Sequence, residues 1–162
     1  MKNTYIPKKR FMKVAIKEAL KSIKKGDYAY GAVVVKNNKI IGIGRQESHS
    51  NKDASAHAEI VAMRNASKTL KTMYLQDCIL YTTNEPCCMC TGMVIWSILK
   101  GIVYGSSVKD LLNYWKQNEN NQKLMSCKSI LKNYGSNCFV IGGLMREECR
   151  KLFFLDKKIK KV

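Results

Sequence analysis

The sequence predicts an α/β protein, a three-layer α/β/α sandwich around a five-stranded mixed sheet. Three observations carry this expectation. Apolar residues recur at spacings of three and four in several long segments, short runs rich in Val, Ile and Tyr lie between them, and the two kinds alternate with no internal repeat and no Gly-, Ser- or Pro-rich linker. Such alternation puts helices on both faces of a sheet whose later strands are joined by helical crossovers. The 162 residues and 46% hydrophobic content suit one domain, 1–162, with a core able to hold a buried site.

From Lys8 to Lys25, the residues Phe11, Val14, Ala15, Ala19, Leu20 and Ile23 form the apolar stripe of a first helix with a lysine outer face, ended by Gly26-Asp27. Tyr30 to Val35 and Lys39 to Ile43 read as an antiparallel pair joined at Asn37-Asn38, residues that tolerate the positive φ of a tight hairpin. The polar stretch from Gln46 to Ser55 leads into AHAEIVAMRNASKTL, a helix expected to begin near Ala56 with His57 in its first turn. Cys78 to Thr83 (CILYTT) is a buried-strand pattern, and after Pro86 the run CCMCTGMVIWSIL is a second buried helix starting at the cysteines. Gly101 to Gly105 is the fourth strand, Val108 to Trp115 a helix, Asn118 to Gln122 a polar loop and Cys138 to Ile141 the fifth strand. A last helix is expected from Met145 to Lys158, with Leu144, Cys149, Leu152 and Phe153 inward.

No apolar run approaches the roughly 18 residues that cross a bilayer, and MKNTYIPKKRFMK has no signal-like apolar stretch, so the expectation is a soluble, cytoplasmic protein with no membrane partner. The seven cysteines are an odd number, and Cys87, Cys88 and Cys90 crowd into four positions, which argues for metal ligation and buried free thiols over a disulfide framework. A net charge of +17 is the kind of surface that attracts nucleic acid, but only five of the 29 basic residues are arginine, the type suited to bidentate phosphate and base contacts, and the lysines are scattered. Charge alone therefore assigns no partner.

Two short motifs carry the chemistry: His57-Ala58-Glu59, and Pro86-Cys87-Cys88-Met89-Cys90 thirty residues later. Two thiolates with a two-residue gap at a helix start turn to one side, and the helix dipole stabilises their charge. Cys87, Cys90 and one nitrogen of His57 make three ligands for Zn2+ and leave the fourth tetrahedral position open, as in catalytic sites. Zinc lowers the pKa of its water, and Glu59, about 200° around the helix from His57, is placed to take and return the proton. Cys88 is expected to be a buried thiol outside the ligand set.

H-x-E followed by P-C-x-x-C is the signature of zinc deaminases acting on cytosine or adenine rings. With GAVVV, AHAEI and LYTTNEPCCMCTGMVIW around it, the sequence resembles the cytidine and deoxycytidylate deaminase superfamily, in the branch of guanine deaminases, fungal cytosine deaminases and bacterial tRNA adenosine deaminases. The resemblance spans nearly the whole chain and is strongest from Gly31 to Gly105. It implies a cytidine deaminase-like fold and hydrolytic deamination, with zinc-activated hydroxide attacking the amino-bearing ring carbon and ammonia released. It also implies substrate contacts from Gln46, which stands where the branch has a ring-binding asparagine, from the Ala58 N–H and from backbone groups of Asn84 and Glu85. Trp96 and Trp115 are implied as aromatic pocket walls, with His49 in the loop at the pocket mouth. Relatives form homodimers, and the apolar helix from Met89 to Leu99 offers a face for one.

The segment SSVKDLLNYWKQNENNQ departs both from the basic, glycine-rich stretch of tRNA-acting members and from guanine deaminases, which carry an acidic pair after it. On sequence alone the order is a free base or nucleoside first, a purine such as guanine among them, with activity nearly insensitive to salt. Adenosine in tRNA comes second and cytosine or a nucleotide third, and a catalytically silent nucleic-acid-binding member is the reading that the intact Glu59 opposes.

Overall fold

Alternating period-3.6 and period-2 patterns fold as expected into helices and strands in turn. The computed structural model describes residues 5–117 and 124–156. The chain opens with α1 (Lys9–Lys24), followed by the hairpin β1 (Gly31–Lys36) and β2 (Lys39–Arg45), the short α2 (Ser48–Asn51) and α3 (Ala58–Leu70). Then come β3 (Ile79–Asn84), α4 (Cys88–Trp96), β4 (Gly101–Ser106), α5 (Val108–Gln117), α6 (Cys127–Asn133), β5 (Phe139–Ile141) and α7 (Arg146–Leu155). The hairpin turns where predicted, with Asn37 at φ 47° and Asn38 at φ 65°.

The strand order is β2-β1-β3-β4-β5. β1 is antiparallel to both β2 and β3, whereas β3, β4 and β5 are parallel. Val34, Leu80 and Ile102 face a layer built from α3, α4 and α6, and Val33, Tyr81 and Val103 face α1 and α7. Both faces are covered, which is why the central strands read as continuous apolar runs.

The hairpin is gripped by backbone from both sides. A Cβ on Gly44 would collide with the Ala58 carbonyl and the Ala62 nitrogen of α3, and one on Gly31 with the Ala15 carbonyl of α1. Ala58, Ala62 and Ala66, one turn apart and fully buried, present only methyl groups to this contact, so α3 lies directly on β2.

Several expectations shift. Leu20 is 39% exposed, and α1 instead buries Met12, Glu18 and Ser22. The helix turns this way because the end of β2 supplies polar partners: Arg45 pairs with Glu18, and the Gln46 carbonyl accepts from Ser22 Oγ. α3 begins at Ala58, later than Ala56, because Ala56 is held in the loop by its N–H to Asp53 and its carbonyl to Glu47. α2 carries no apolar period, and α6 only the short set Cys127, Ile130 and Leu131; the latter is capped by Ser126 Oγ accepting from Ser129 N–H. The loop expected at Asn118 to Gln122 and the end of the last helix beyond Asp156 lie outside the described residues.

Candidate active site

The C-terminal edges of parallel strands and the N-termini of the following helices meet at one place, where α/β folds carry their ligands. His57 is the N-cap of α3 and Cys87 the N-cap of α4, each with extended backbone angles, and Cys90 follows in the first turn of α4. His57 Nδ1 lies 3.7 Å from Cys87 Sγ and 3.6 Å from Cys90 Sγ, and the three donor atoms lie within 4.8 Å of one another. Zinc with bonds of about 2.0 Å to nitrogen and 2.3 Å to sulfur in tetrahedral geometry needs nitrogen–sulfur separations of about 3.5 Å. The donor set therefore fits a single Zn2+.

The electrostatics favour a thiolate at Cys87. Hydrogen bonds from Cys90 and His57 hold the Cys87 thiol down at about 4 against the opposing effect of burial. The Cys90 thiol is pushed up because it shares its proton with Cys87 and is buried. The hydrogen bond with Cys87 raises His57, outweighing its burial. Cys88, expected to be buried, is exposed and lines the cavity beside this cluster, because the first turn of α4 carries its side chain away from the core that holds Cys90.

Glu59 is 6% exposed and sits in the first turn of α3. Burial raises its pKa, and the Cys87 charge adds to the rise, while His57 and the Thr82 hydroxyl oppose it. A carboxyl held above its ordinary range is suited to carrying a proton in both directions near neutral pH.

A cavity of about 810 Å3 opens in front of these residues, and Gln46, Asn84, Glu85 and Trp115 line it together with His57, Glu59 and Cys87. Gln46 is 2% exposed; its Nε2 donates to Ser48 Oγ at 2.9 Å, while Oε1 is buried with no hydrogen-bond partner among the described residues. Trp115 Nε1 is likewise buried with none among the described residues. Asn84 is tied to the frame, with Oδ1 accepting from Ser106 Oγ. Ala58 turns its methyl into the core, which leaves its N–H, in the unsatisfied first turn of α3, as the group for the expected role.

One expected contact takes another place, and Glu85, expected to offer backbone groups at the pocket edge, lines the cavity and uses its side chain besides. Trp96, near the end of α4, is 69% exposed and is not among the cavity-lining residues. The buried side of α4 is the one carrying Cys90, Thr91 and Val94, and Trp96 falls on the opposite side. The Glu85 carboxylate lines the cavity but is fully engaged: Oε2 accepts from Val108 N–H at 2.9 Å and Oε1 from Cys127 N–H at 3.0 Å. It joins the starts of α5 and α6 to the end of β3. Thr82, Tyr28, Tyr30 and Ser48 went unnoticed in the sequence. Thr82 donates to Glu59 Oε1, and the other three line the cavity, Tyr28 with its ring 4.9 Å from that of His49. Only the position of Tyr30, directly before GAVVV, marks any of them.

Residues 6–106 match the cytidine and deoxycytidylate deaminase zinc-binding region. A tRNA-specific adenosine deaminase of Buchnera aphidicola (subspecies Schizaphis graminum) is 38% identical over 152 residues, covering 91% of this chain and 94% of that protein. A guanine deaminase of Bacillus subtilis is 40% identical over 101 residues, covering 62% and 65%. Among solved structures, guanine deaminase from Nitrosomonas europaea superimposes with a TM-score of 0.77 at 22% identity, covering 99% of this chain and 88% of that one, a likeness of fold. With the H-x-E and P-C-x-x-C residues gathered at one cavity, the chain belongs to the cytidine and deoxycytidylate deaminase family, as a zinc-dependent hydrolytic deaminase of a nucleobase or nucleoside.

Proposed function

We propose that the chain, acting as a single catalytic domain, deaminates adenosine within transfer RNA to inosine. The observation that carries this reading is the extent of the likeness. The tRNA-specific relative matches across 91% of the chain, well beyond the zinc-binding region, whereas the guanine deaminase matches across 62%. The net charge of +17 suits a polyanionic substrate, and a cavity of about 810 Å3 is larger than a single purine ring requires. The departures after Gly105 favoured a free base on sequence alone; the likeness to the tRNA-specific relative over 91% of the chain supports the tRNA reading.

In this reading His57, Cys87 and Cys90 hold Zn2+, which supplies the Lewis acidity that makes water a nucleophile near neutral pH. Glu59 takes a proton from the attacking water and delivers protons to the ring nitrogen and the departing ammonia. Gln46, the Ala58 N–H and Trp115 hold the ring, the orphaned Gln46 Oε1 and Trp115 Nε1 gaining partners from it. Asn84 and Glu85 shape the cavity edge.

We also propose a homodimer. Met89, Trp96 and Ile98 are 37%, 69% and 50% exposed on and just after α4, an unpartnered apolar face next to the metal ligands. No helix among the described residues is long and apolar enough to cross a membrane, and the seven unpaired cysteines suit the reducing cytoplasm, where we place the protein.

The test is a panel assay of zinc-loaded protein on a tRNA transcript, guanine, adenosine and cytosine, reading inosine and ammonia. Inosine in the transcript, with activity falling steeply between 50 and 200 mM salt, is expected. Turnover of a free base or nucleoside without any of the transcript overturns the tRNA reading. Sedimentation as a monomer throughout the micromolar range overturns the dimer.

A further inference from the structure

We infer that Asp27 is a positioning residue for substrate recognition, acting on Gln46 through α2. Asp27 is 2% exposed in the α1–β1 connection and touches neither the metal ligands nor Glu59 by any hydrogen bond or ion pair among the described residues. Its Oδ1 accepts from both His49 N–H at 2.7 Å and Ser50 N–H at 3.1 Å, the first free amides of α2. α2 is a single turn of polar residues with none buried, so it has no apolar face to fix it. The external carboxylate takes the place of that face.

What α2 carries makes this placement matter. Ser48, its first residue, accepts from Gln46 Nε2 and so fixes the rotation of the Gln46 amide, directing its hydrogens to Ser48 and leaving Oε1 as the unpaired acceptor. The Gln46 backbone is separately anchored, its carbonyl to Ser22 Oγ and its N–H to the Tyr30 carbonyl. The side chain therefore depends on Ser48 for its orientation, and Ser48 is located by the bonds of Asp27 to the next two amides together with the Asp53 N–H on its own carbonyl. Glutamine has one more rotatable bond than asparagine, so an amide that reads a substrate group from this position needs such an external brace.

The proposal rests on the cavity being the substrate site, and the experiment separates the two. Zinc-loaded wild type, Asp27→Ala, Asp27→Asn, Gln46→Ala and Asp27→Ala/Gln46→Ala are assayed for inosine formation on a tRNA transcript, and amide hydrogen exchange is followed at His49 and Ser50. Asp27→Ala is expected to keep one zinc per chain, raise KM about tenfold with kcat within twofold, and speed exchange at both amides at least tenfold. Asp27→Asn, whose Oδ1 can accept both bonds, restores wild-type KM and protection. Because Asp27 acts through Gln46, the double variant has the KM of Gln46→Ala alone. Multiplicative single effects, a fall in kcat at constant KM, or unchanged protection in Asp27→Ala each overturn the proposal. If wild type leaves the transcript untouched, the tRNA reading fails, and the same KM comparison of the variants is made on whichever of guanine, adenosine or cytosine is turned over, with exchange read alongside.

Discussion

Thr82 donates from Oγ1 to Oε1 of Glu59 at 3.2 Å, from the buried centre of β3 to the first turn of α3. The bond crosses from strand to helix inside the protein, so the proposed proton carrier is held by the sheet as well as by its own helix. Glu59→Gln should keep zinc and fold while losing about a hundredfold to ten-thousandfold in turnover. Thr82→Val should keep Glu59 chemistry but lose about tenfold in kcat, the worth of one hydrogen bond to a charged group. Steady-state kinetics with elemental analysis check both; wild-type turnover in Glu59→Gln would place the proton carrier elsewhere.

Metal content should follow the donor triangle. Cys87→Ala and Cys90→Ala are expected to lose the single zinc, and Cys88→Ala to retain it, because the Cys88 side chain lies outside the cluster of donors. Full occupancy in either ligand variant, measured by elemental analysis after dialysis against a weak chelator, sinks the assignment.

Glu85 predicts a stability effect without a metal effect. Replacing it with alanine leaves the buried amides of Val108 and Cys127 without their acceptor, a loss of about 3 kcal/mol. Glu85→Gln should fall between, since one amide oxygen can serve only one of the two directions. Urea unfolding reads the difference. A Glu85→Ala protein as stable as wild type would mean that water replaces the carboxylate.

Acid should act through Asp110. Its Oδ2 accepts from Ser107 N–H and Oγ, and Arg146 bonds both oxygens, so the guanidinium beside it holds the carboxyl down at about 2. Depressed below the ordinary value of about 4, the group stabilises the fold above that value, and the contribution is lost as pH falls through about 2. Thermal unfolding of wild type and Asp110→Asn, compared in the same buffers, should differ at pH 7 and converge between pH 4 and 2. A constant difference across that range refutes the linkage.

The sheet, its hairpin and the candidate metal cluster were legible in the sequence because each rests on local chemistry: alternation in GAVVV, positive φ at Asn37-Asn38, the two-residue gap between Cys87 and Cys90. What stayed hidden depends on partners distant in sequence. Ser22 and Glu18 look like surface positions of α1 until Gln46 and Arg45 arrive to meet them. Glu85 looks like a pocket residue, and only the fold brings it amides from positions 108 and 127. Trp96 looks like a pocket wall by its neighbours, but helix geometry turns it outward. α2 has no apolar pattern because its support comes from Asp27, from the Tyr28 ring against His49 and from polar bonds, and not from a buried face.

The backbone contact between Gly44 and the first turn of α3 bears on how this protein can change over generations. Side-chain cores drift by exchanging volumes, and helices resting on them shift as the exchanges accumulate. Here the helix that begins beside His57 rests on glycine main chain and alanine methyl groups, with no larger side chain at Gly44 to swell or shrink. Substitutions elsewhere in the interior can accumulate while the imidazole stays in register with the thiols on the neighbouring helix. Two hydrogens on a glycine thus act as a gauge block for the metal centre, and lineages are free to vary the cavity walls around a tool of constant dimensions.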